Sequence, residues 1–305
     1  MKQISYKEYF EQKVQALTDY VKKYNLEALI LGISGGIDST VCAAICYEVS
    51  RRIPVKVIGR SLPTINNKED EITTADLVGN AFCYDYKEID IQQIYNTVRM
   101  GINTAEISNK SYYPIANGNI QARLRMIYLY NLASIHKGIV IDTDNLTEHN
   151  LGYFTIHGDQ GDVNPIGDLW KTQVFELAKY IFYRYDTEAR QTNAYYNPNN
   201  MIVTKLNALK KSISLKPTAG LGITSNDLEE IGAESYEQVD SILQEILAWK
   251  RLATERGDLP KDLNEHKEMF LDEQQMLNIP IEIIINVTNK HFASEFKRKQ
   301  MPIRL

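Results

Sequence analysis

Cysteine is scarce: Cys42, Cys46 and Cys83 are the only three among 305 residues, an odd number without metal-ligand spacing. That excludes a disulfide framework and a zinc cluster. Cys42 and Cys46 stand four apart on one apolar helix face, so core packing is their expected role and a reducing cytoplasm the expected location. No apolar stretch approaches membrane-spanning length, and no signal-peptide segment follows Met1-Lys2-Gln3-Ile4-Ser5-Tyr6. Positive charge is in deficit, with a formal net charge of −5, which argues against broad nucleic-acid binding but leaves room for a local basic patch. Internal repeats and low-complexity tracts are missing as well. Tyrosine is plentiful at 19, and aromatic packing at a subunit interface is one use for it.

Against these absences, one hexapeptide stands out. Ser34-Gly35-Gly36-Ile37-Asp38-Ser39 follows the apolar run Leu29-Ile30-Leu31-Gly32-Ile33 and precedes the helix-favouring Thr40-Val41-Cys42-Ala43-Ala44-Ile45-Cys46. The pattern predicts a strand, a glycine turn and a helix. Backbone N–H groups at a helix N-terminus, where the dipole is positive, hold phosphate or pyrophosphate. Two glycines let the backbone approach such an anion closely. Asp38 would be repelled by a bound pyrophosphate unless a cation such as Mg²⁺ lay between them. No Lys follows the second glycine, so this is not a Walker A loop, and the spacing is not that of a dinucleotide fingerprint. The plainer reading is a strand-to-helix turn whose glycines serve geometry alone.

Helical spacing of Tyr6, Phe10, Val14, Leu17 and Val21 opens the chain with an amphipathic helix. Strands are expected at 28–33, 55–59 and 138–142, and helices at 39–51, 68–80, 117–136 and 169–184. This alternation predicts an α/β fold, a parallel sheet flanked by helices with ligands at the C-terminal ends of the strands. Polar residues with an Asn197-Pro198 step make 186–216 an expected exposed insertion or mobile loop, and 225–305 a helical C-terminal part of a single domain spanning 1–305. The basic stretch from Lys290 to Gln300 is either a solvated tail or an anion-contacting segment.

Four further segments are denser in polar groups than a packed fold requires. In Asn117-Gly118-Asn119-Ile120-Gln121-Ala122-Arg123-Leu124-Arg125-Met126, an Asn-Gly turn feeds a helix with two early arginines, which oppose the dipole and call for an anion. Surface pairing with neighbouring acids would also explain them. Asp142-Thr143-Asp144-Asn145-Leu146-Thr147-Glu148-His149-Asn150 follows the 138–142 strand and offers Asp142, Asp144 and Glu148 as hard oxygen ligands for Mg²⁺. From His157 to Gln173, glycines alternate with Asp159, Asp162 and Asp168; Asp168 is a candidate helix N-cap, with Lys171 reaching a phosphate at that helix start. Asx-turn chemistry would account for Asp159 or Asp162 singly. Last comes the stiff, hydroxyl-bearing loop Leu215-Lys216-Pro217-Thr218-Ala219-Gly220-Leu221-Gly222.

Together these segments resemble the ammonia-dependent NAD synthetases. The glycine loop resembles the SGGxDS pyrophosphate loop of the N-type ATP pyrophosphatases, and alone names only that superfamily. The order and spacing of the other segments match the NAD synthetases across roughly residues 28–222. The resemblance implies an adenine-nucleotide alpha-hydrolase-like, Rossmann-like fold. It implies a ligase that amidates deamido-NAD with ammonia through a deamido-NAD adenylate, releasing AMP and pyrophosphate. ATP would be held by Ser34, Gly35, Gly36, Asp38, Ser39, Arg60, Leu62, Thr143, Lys171 and Thr218. Deamido-NAD would be bound by Asn119, Arg123, Arg125, Tyr130 and Asp162, with Asp159 and Lys171 catalytic and Mg²⁺ on Asp38 and Glu148. A cytoplasmic homodimer, free of membrane or nucleic acid, is implied too.

The chain departs from the family in three places. Phe296 stands where a His-Lys-Arg triplet often begins, Gln160 stands where a glycine is usual, and the 186–216 segment is long. A nitrilase-type glutaminase domain is not expected, so free ammonia is the expected nitrogen donor. A tRNA-thiolating ATP pyrophosphatase is a second enzyme reading, disfavoured by negative charge and the want of paired catalytic cysteines. A catalytically silent nucleotide sensor is a third, disfavoured because Asp38, Glu148, Asp159 and Lys171 occur together.

Overall fold

The computed structural model describes residues 5–105, 113–216, 227–257, 263–273, 279–299 and 303–304. After the opening helix α1 (Tyr6–Tyr24), the chain alternates β1 (Ala28–Gly32), α2 (Ile37–Arg52), β2 (Lys56–Ser61), α3 (Glu69–Phe82) and β3 (Asp85–Glu88). Helices α4 (Gln92–Ala105) and α5 (Tyr113–Ile135) lead to β4 (Gly138–Val140) and the short α6 (Leu146–Leu151). The four strands form one parallel sheet in the order β3-β2-β1-β4. The path runs outward from β1 through β2 to β3, then returns to pair β4 on the other side of β1. The C-terminal ends of β1 and β4 therefore diverge around a switch point, where open α/β sheets bind ligands.

Strand periodicity builds two cores. Leu29, Leu31 and Ile33 point to one face and pack with α1, α2, α3, α7 (Lys171–Gln191) and α8 (Met201–Ser214). Ala28 and Ile30 point to the other and pack with Leu129 and Ala133 of α5. A third cluster joins α6 to α9 (Asp227–Ile231), α10 (Tyr236–Arg256), α11 (Leu263–Glu273) and α12 (Ile281–Ala293). The pair β5 (Val163–Asn164) and β6 (Ile303–Arg304) brings the chain end back to the 163–164 segment. Cys42 and Cys46 are fully buried in the first core, and burial raises both thiols. No helix among the described residues is long and apolar enough to cross a membrane.

Three expectations are corrected. Residues 186–216 are mostly helical: α7 runs to Gln191 and α8 buries Lys205, Leu206, Ala208, Leu209 and Ser212 against the core. The continuously exposed stretches are 190–193 and 195–199, on either side of the buried Ala194. Asn117-Gly118 is not a turn, because α5 starts four residues earlier with Pro114 in its first turn. Arg123 and Arg125 are thus mid-helix, and the dipole argument for an anion does not apply to them. Asp168 does not cap α7. The Gln173 side chain accepts from the Trp170 N–H at that position, while Asp168 accepts from Lys13 at 3.0 Å and Tyr9 at 2.6 Å.

Candidate active site

A cavity of about 500 Å³ opens at the switch point. Its floor is the glycine loop. Gly36 is the N-cap of α2 and has no side chain with which to cap the helix, so the first-turn N–H groups face the cavity without a side-chain acceptor. Ser34 Oγ accepts from Gly36 N–H at 3.2 Å, and Ser39 Oγ donates to the Gly36 carbonyl at 3.1 Å, which braces the turn from both sides. The two glycines serve different ends. Gly35 has φ +83°, and a Cβ there would overlap the Glu71 carbonyl and stand 2.8 Å from Ala75 N. It is a glycine because α3 lies against it. A Cβ on Gly36 would meet Ser34 Oγ at 3.3 Å, a close contact that a small shift of that side chain relieves, and Gly36 borders the open cavity.

Beside the loop lies a buried ionic cluster. Lys171, the first residue of α7 and 2% exposed, donates to Asp38 Oδ2 at 2.5 Å and Glu148 Oε1 at 3.0 Å. Asn145 secures the far side: its amide donates to Asp38 Oδ1 at 2.9 Å, and its backbone N–H donates to Glu148 Oε2 at 3.2 Å. The Asn145 side chain also caps α6 by accepting from Glu148 N–H, so Glu148 sits at the third position of a capping box. One carboxylate oxygen thus starts the helix while the other faces the lysine. Burial alone would lower the Lys171 ammonium, but Asp38 and Glu148 more than offset it and hold the group charged.

The β4 side is acidic. Burial raises Asp144 well above the carboxylate range, with Asp142 and Asp159 adding to it. Asp142 is nearly inaccessible, and its oxygens accept from Asp144 N–H, Gly161 N–H and the Asn164 amide. It fixes the loop walls rather than facing the cavity. Asp159 lines the cavity and accepts from Thr155 N–H at 2.8 Å; burial pushes its carboxyl up to about 6. Lys297 reaches the same wall, donating to the Gly152 and Phe154 carbonyls at 2.7 and 2.8 Å. Arg298 binds the Asn150 carbonyl, so this part of the basic C-terminal stretch is packed on the cavity wall.

Of the expected ATP contacts, Ser34, Gly36, Asp38, Ser39, Leu62, Thr143 and Lys171 line the cavity, whereas Gly35 lies behind them. Arg60 touches it, but its guanidinium is committed to Asp85 at 2.7 Å and to two carbonyls. Thr218 lies outside the described residues. Of the expected acceptor contacts, Asn119, Arg125 and Tyr130 line the cavity. Arg125 spans the Leu62 carbonyl and Asn67. Arg123 is exposed and donates to the Ile156 carbonyl, and Asp162 is spent on Tyr130 and Val140 N–H; neither lines the cavity. Sequence reasoning missed Glu71, Tyr153, Phe154, Asp227 and Glu230, which do. Tyr153 and Phe154 follow Gly152, the left-handed cap of α6, and Glu230 precedes the positive-φ Gly232, signals of backbone shape that say nothing about the cavity.

The chain is 31% identical over 305 residues to the NH(3)-dependent NAD(+) synthetase of Thermococcus sibiricus, covering 99% of this chain and 98% of the relative. It is 30% identical to the enzyme of the same name from Methanocaldococcus jannaschii, covering 97% of each. Among solved structures it is similar to the NMN synthetase from Francisella tularensis, with a TM-score of 0.70, 27% identity and 99% of both chains covered. The family model described as NAD synthase matches residues 9–301, and the chain belongs to the NAD synthase family.

Proposed function

We propose that this enzyme makes NAD from deamido-NAD, ATP and free ammonia by way of a deamido-NAD adenylate. The observation that carries the reading is one cavity shared by the uncapped α2 N-terminus, the Asp38–Lys171–Glu148 cluster and the Asp159 wall. Ammonia does not displace hydroxide from a carboxylate, so an oxygen must first become a leaving group. A nicotinate oxygen attacks the α-phosphorus of ATP and the bond to pyrophosphate breaks. The α2 N–H groups and Lys171 face the charge that develops on pyrophosphate. Ammonia then attacks the acyl carbon, the C–O bond to AMP breaks, and Asp159 takes the proton. A carboxyl held near 6 is better matched to that task at neutral pH than an ordinary aspartate. Asp159→Asn is expected to keep ATP–pyrophosphate exchange and lose amidation; unchanged amidation would remove Asp159 from this role.

Asp38 and Glu148 are the residues that would hold Mg²⁺. The donor set fits: both offer hard oxygens, and the Lys171 nitrogen touching one oxygen of each marks a point where a cation faces both. No three His, Cys, Asp or Glu side chains among the described residues form a metal cage, so phosphate oxygens would have to complete the shell. Bound with ATP, the ion supplies neutralisation of the pyrophosphate charge. A homodimer would use α5, where Ile127 and Ile135 are 61% and 65% exposed; sedimentation of the purified protein tests it.

A second reading has a mononucleotide acceptor, giving NMN, and is favoured by the likeness to the Francisella NMN synthetase over the whole length of both chains. The purified protein, given Mg-ATP and ammonium with deamido-NAD or nicotinate mononucleotide, separates the two. NAD with AMP supports the first, and NMN with AMP supports the second. Adenylation of neither overturns both.

A further inference from the structure

The Asp38–Glu148 pair that would hold Mg²⁺ is bridged by the Lys171 ammonium. All four carboxylate oxygens have donors, two from Lys171 and two from Asn145. A divalent cation entering between the carboxylates would meet an ammonium in strong repulsion at contact distance. Asn145 is fully buried and anchored by the α6 cap, so it cannot give way; the side chain of Lys171 can, because its backbone N–H is fixed by Thr147 Oγ1 at 2.8 Å while its ammonium bonds only the two carboxylates that the metal would take. A second observation shows where it can go. Asp227 lines the same cavity, is 5% exposed, and its Oδ1 has no hydrogen-bond partner among the described residues; Oδ2 accepts from Tyr236 at 3.1 Å. A buried carboxylate oxygen without a donor is costly to fold around, and such exceptions need a reason. The Lys171 ammonium already lies 5.7 Å from the ring of Tyr236, whose hydroxyl bonds Asp227, and attracts Asp227 electrostatically.

We infer that Lys171 moves its ammonium from the Asp38–Glu148 pair to Asp227 as the metal–nucleotide enters, with Asp227 as the positioning residue that receives it. The displaced ammonium gains a donorless buried acceptor, and the carboxylate pair gains a divalent ion. The exchange leaves Lys171 within the cavity to face the phosphates. The inference rests on Asp38 and Glu148 as metal ligands, read above.

Mn²⁺ titration followed by electron paramagnetic resonance, without nucleotide, tests it on three variants and the wild type. Lys171→Met removes the competing cation and is expected to tighten Mn²⁺ binding by roughly tenfold or more. Asp227→Asn removes the receiving group and is expected to weaken it several-fold. In the Lys171→Met background the Asp227→Asn loss should vanish, because there is no ammonium to receive. A general loss of negative charge would instead persist there and overturn the inference, as would a Lys171→Met protein that binds no tighter. A structure of the wild type with Mn²⁺ and a non-hydrolysable ATP analogue gives the same answer without a variant. Lys171 Nζ should have left both Asp38 and Glu148; if it remains hydrogen-bonded to both beside the bound ion, the inference fails. Wild-type protein that makes NAD while Lys171 stays put would sink this exchange alone; exchange without any amidation would sink the functional reading alone.

Discussion

Helices α2 and α7 are joined by two ion pairs. At the sheet's C-terminal edge Asp38 meets Lys171 at 2.5 Å, and roughly three turns further along Glu48 meets Arg184 at 3.1 Å. Both carboxylates belong to α2 and both cations to α7. Around Glu48 the charge is over-supplied with donors: Arg184, Tyr185 at 2.9 Å and Arg51 all reach it, and together they outweigh burial and hold its carboxyl below the usual range. Around Asp38 the opposite holds. One lysine is shared by two carboxylates, and Asp144 and Asp159 nearby are raised by burial. Two pairs of the same kind on the same helices thus differ in their balance of charge: at Glu48 the cations outnumber the carboxylate, and at Asp38 the carboxylates outnumber the lysine. The first is a clamp, and the second leaves excess negative charge beside the cavity, the kind of perturbed environment found at functional sites.

Substitution at the two cations should separate the roles most sharply. Lys171→Met is expected to lower kcat/KM for NAD formation by roughly a thousandfold, the scale of a lost transition-state charge contact, and also to lower stability, because Asp38 and Glu148 lose their shared buried cation. Arg184→Met is expected to affect stability alone, costing about 2–3 kcal/mol by chemical denaturation with kcat within about twofold of wild type. Equal activity losses in the two would break the comparison.

The glycines at the head of α2 sharpen it further. Gly35→Ala forces a side chain into a positive φ against the α3 backbone, and about 2 kcal/mol of stability should be lost in urea unfolding. Gly36 has φ −67°, and a methyl group there would press only on the Ser34 side chain, so Gly36→Ala should cost under about 1 kcal/mol and appear instead as a raised KM for ATP.

The smallest effect is in the pH dependence of melting, and it has opposite signs at the two ends. Asp159 binds its proton more tightly folded than unfolded, so its contribution falls as pH rises from about 4 to about 6. Glu48 is lowered from 4.5, so its contribution is present above that value and lost as pH falls through the folded one. Asp159→Asn should therefore remove a downward slope, and Glu48→Gln an upward one. Slopes of the same sign would contradict the assignment of burial as the dominant influence at the cavity and of Arg184 and Tyr185 at the clamp.

Much of this was legible because local chemistry and tertiary placement coincide. The apolar run at 28–33 and the glycine turn each dictate a backbone shape that also serves the cavity. Where the two part company, the sequence misleads. Strand β3 is the polar Asp85-Tyr86-Lys87-Glu88, an edge strand with a single neighbour, and shows no apolar pattern. In α8 the spacing of Lys205, Leu206, Leu209 and Ser212 is helical, but the neighbouring Asn-Pro step drew attention to a loop. Arg123 lies close to Arg125 in sequence, yet the helix turns it out to solvent while Arg125 meets the cavity. Asp227 and Lys297 arrive from the C-terminal helices, whose approach to the cavity depends on the packing of α10 and α12 with α6 and not on any local motif.

Oxygen transfer tests the central claim most directly. Deamido-NAD carrying ¹⁸O in its nicotinate carboxylate, turned over with Mg-ATP and ammonium, should give NAD and AMP in equal amounts with one labelled oxygen in the phosphate of each AMP, and unlabelled pyrophosphate. Label in the pyrophosphate, or ADP and phosphate as products, would contradict a cavity built to grip pyrophosphate while the acceptor is adenylated.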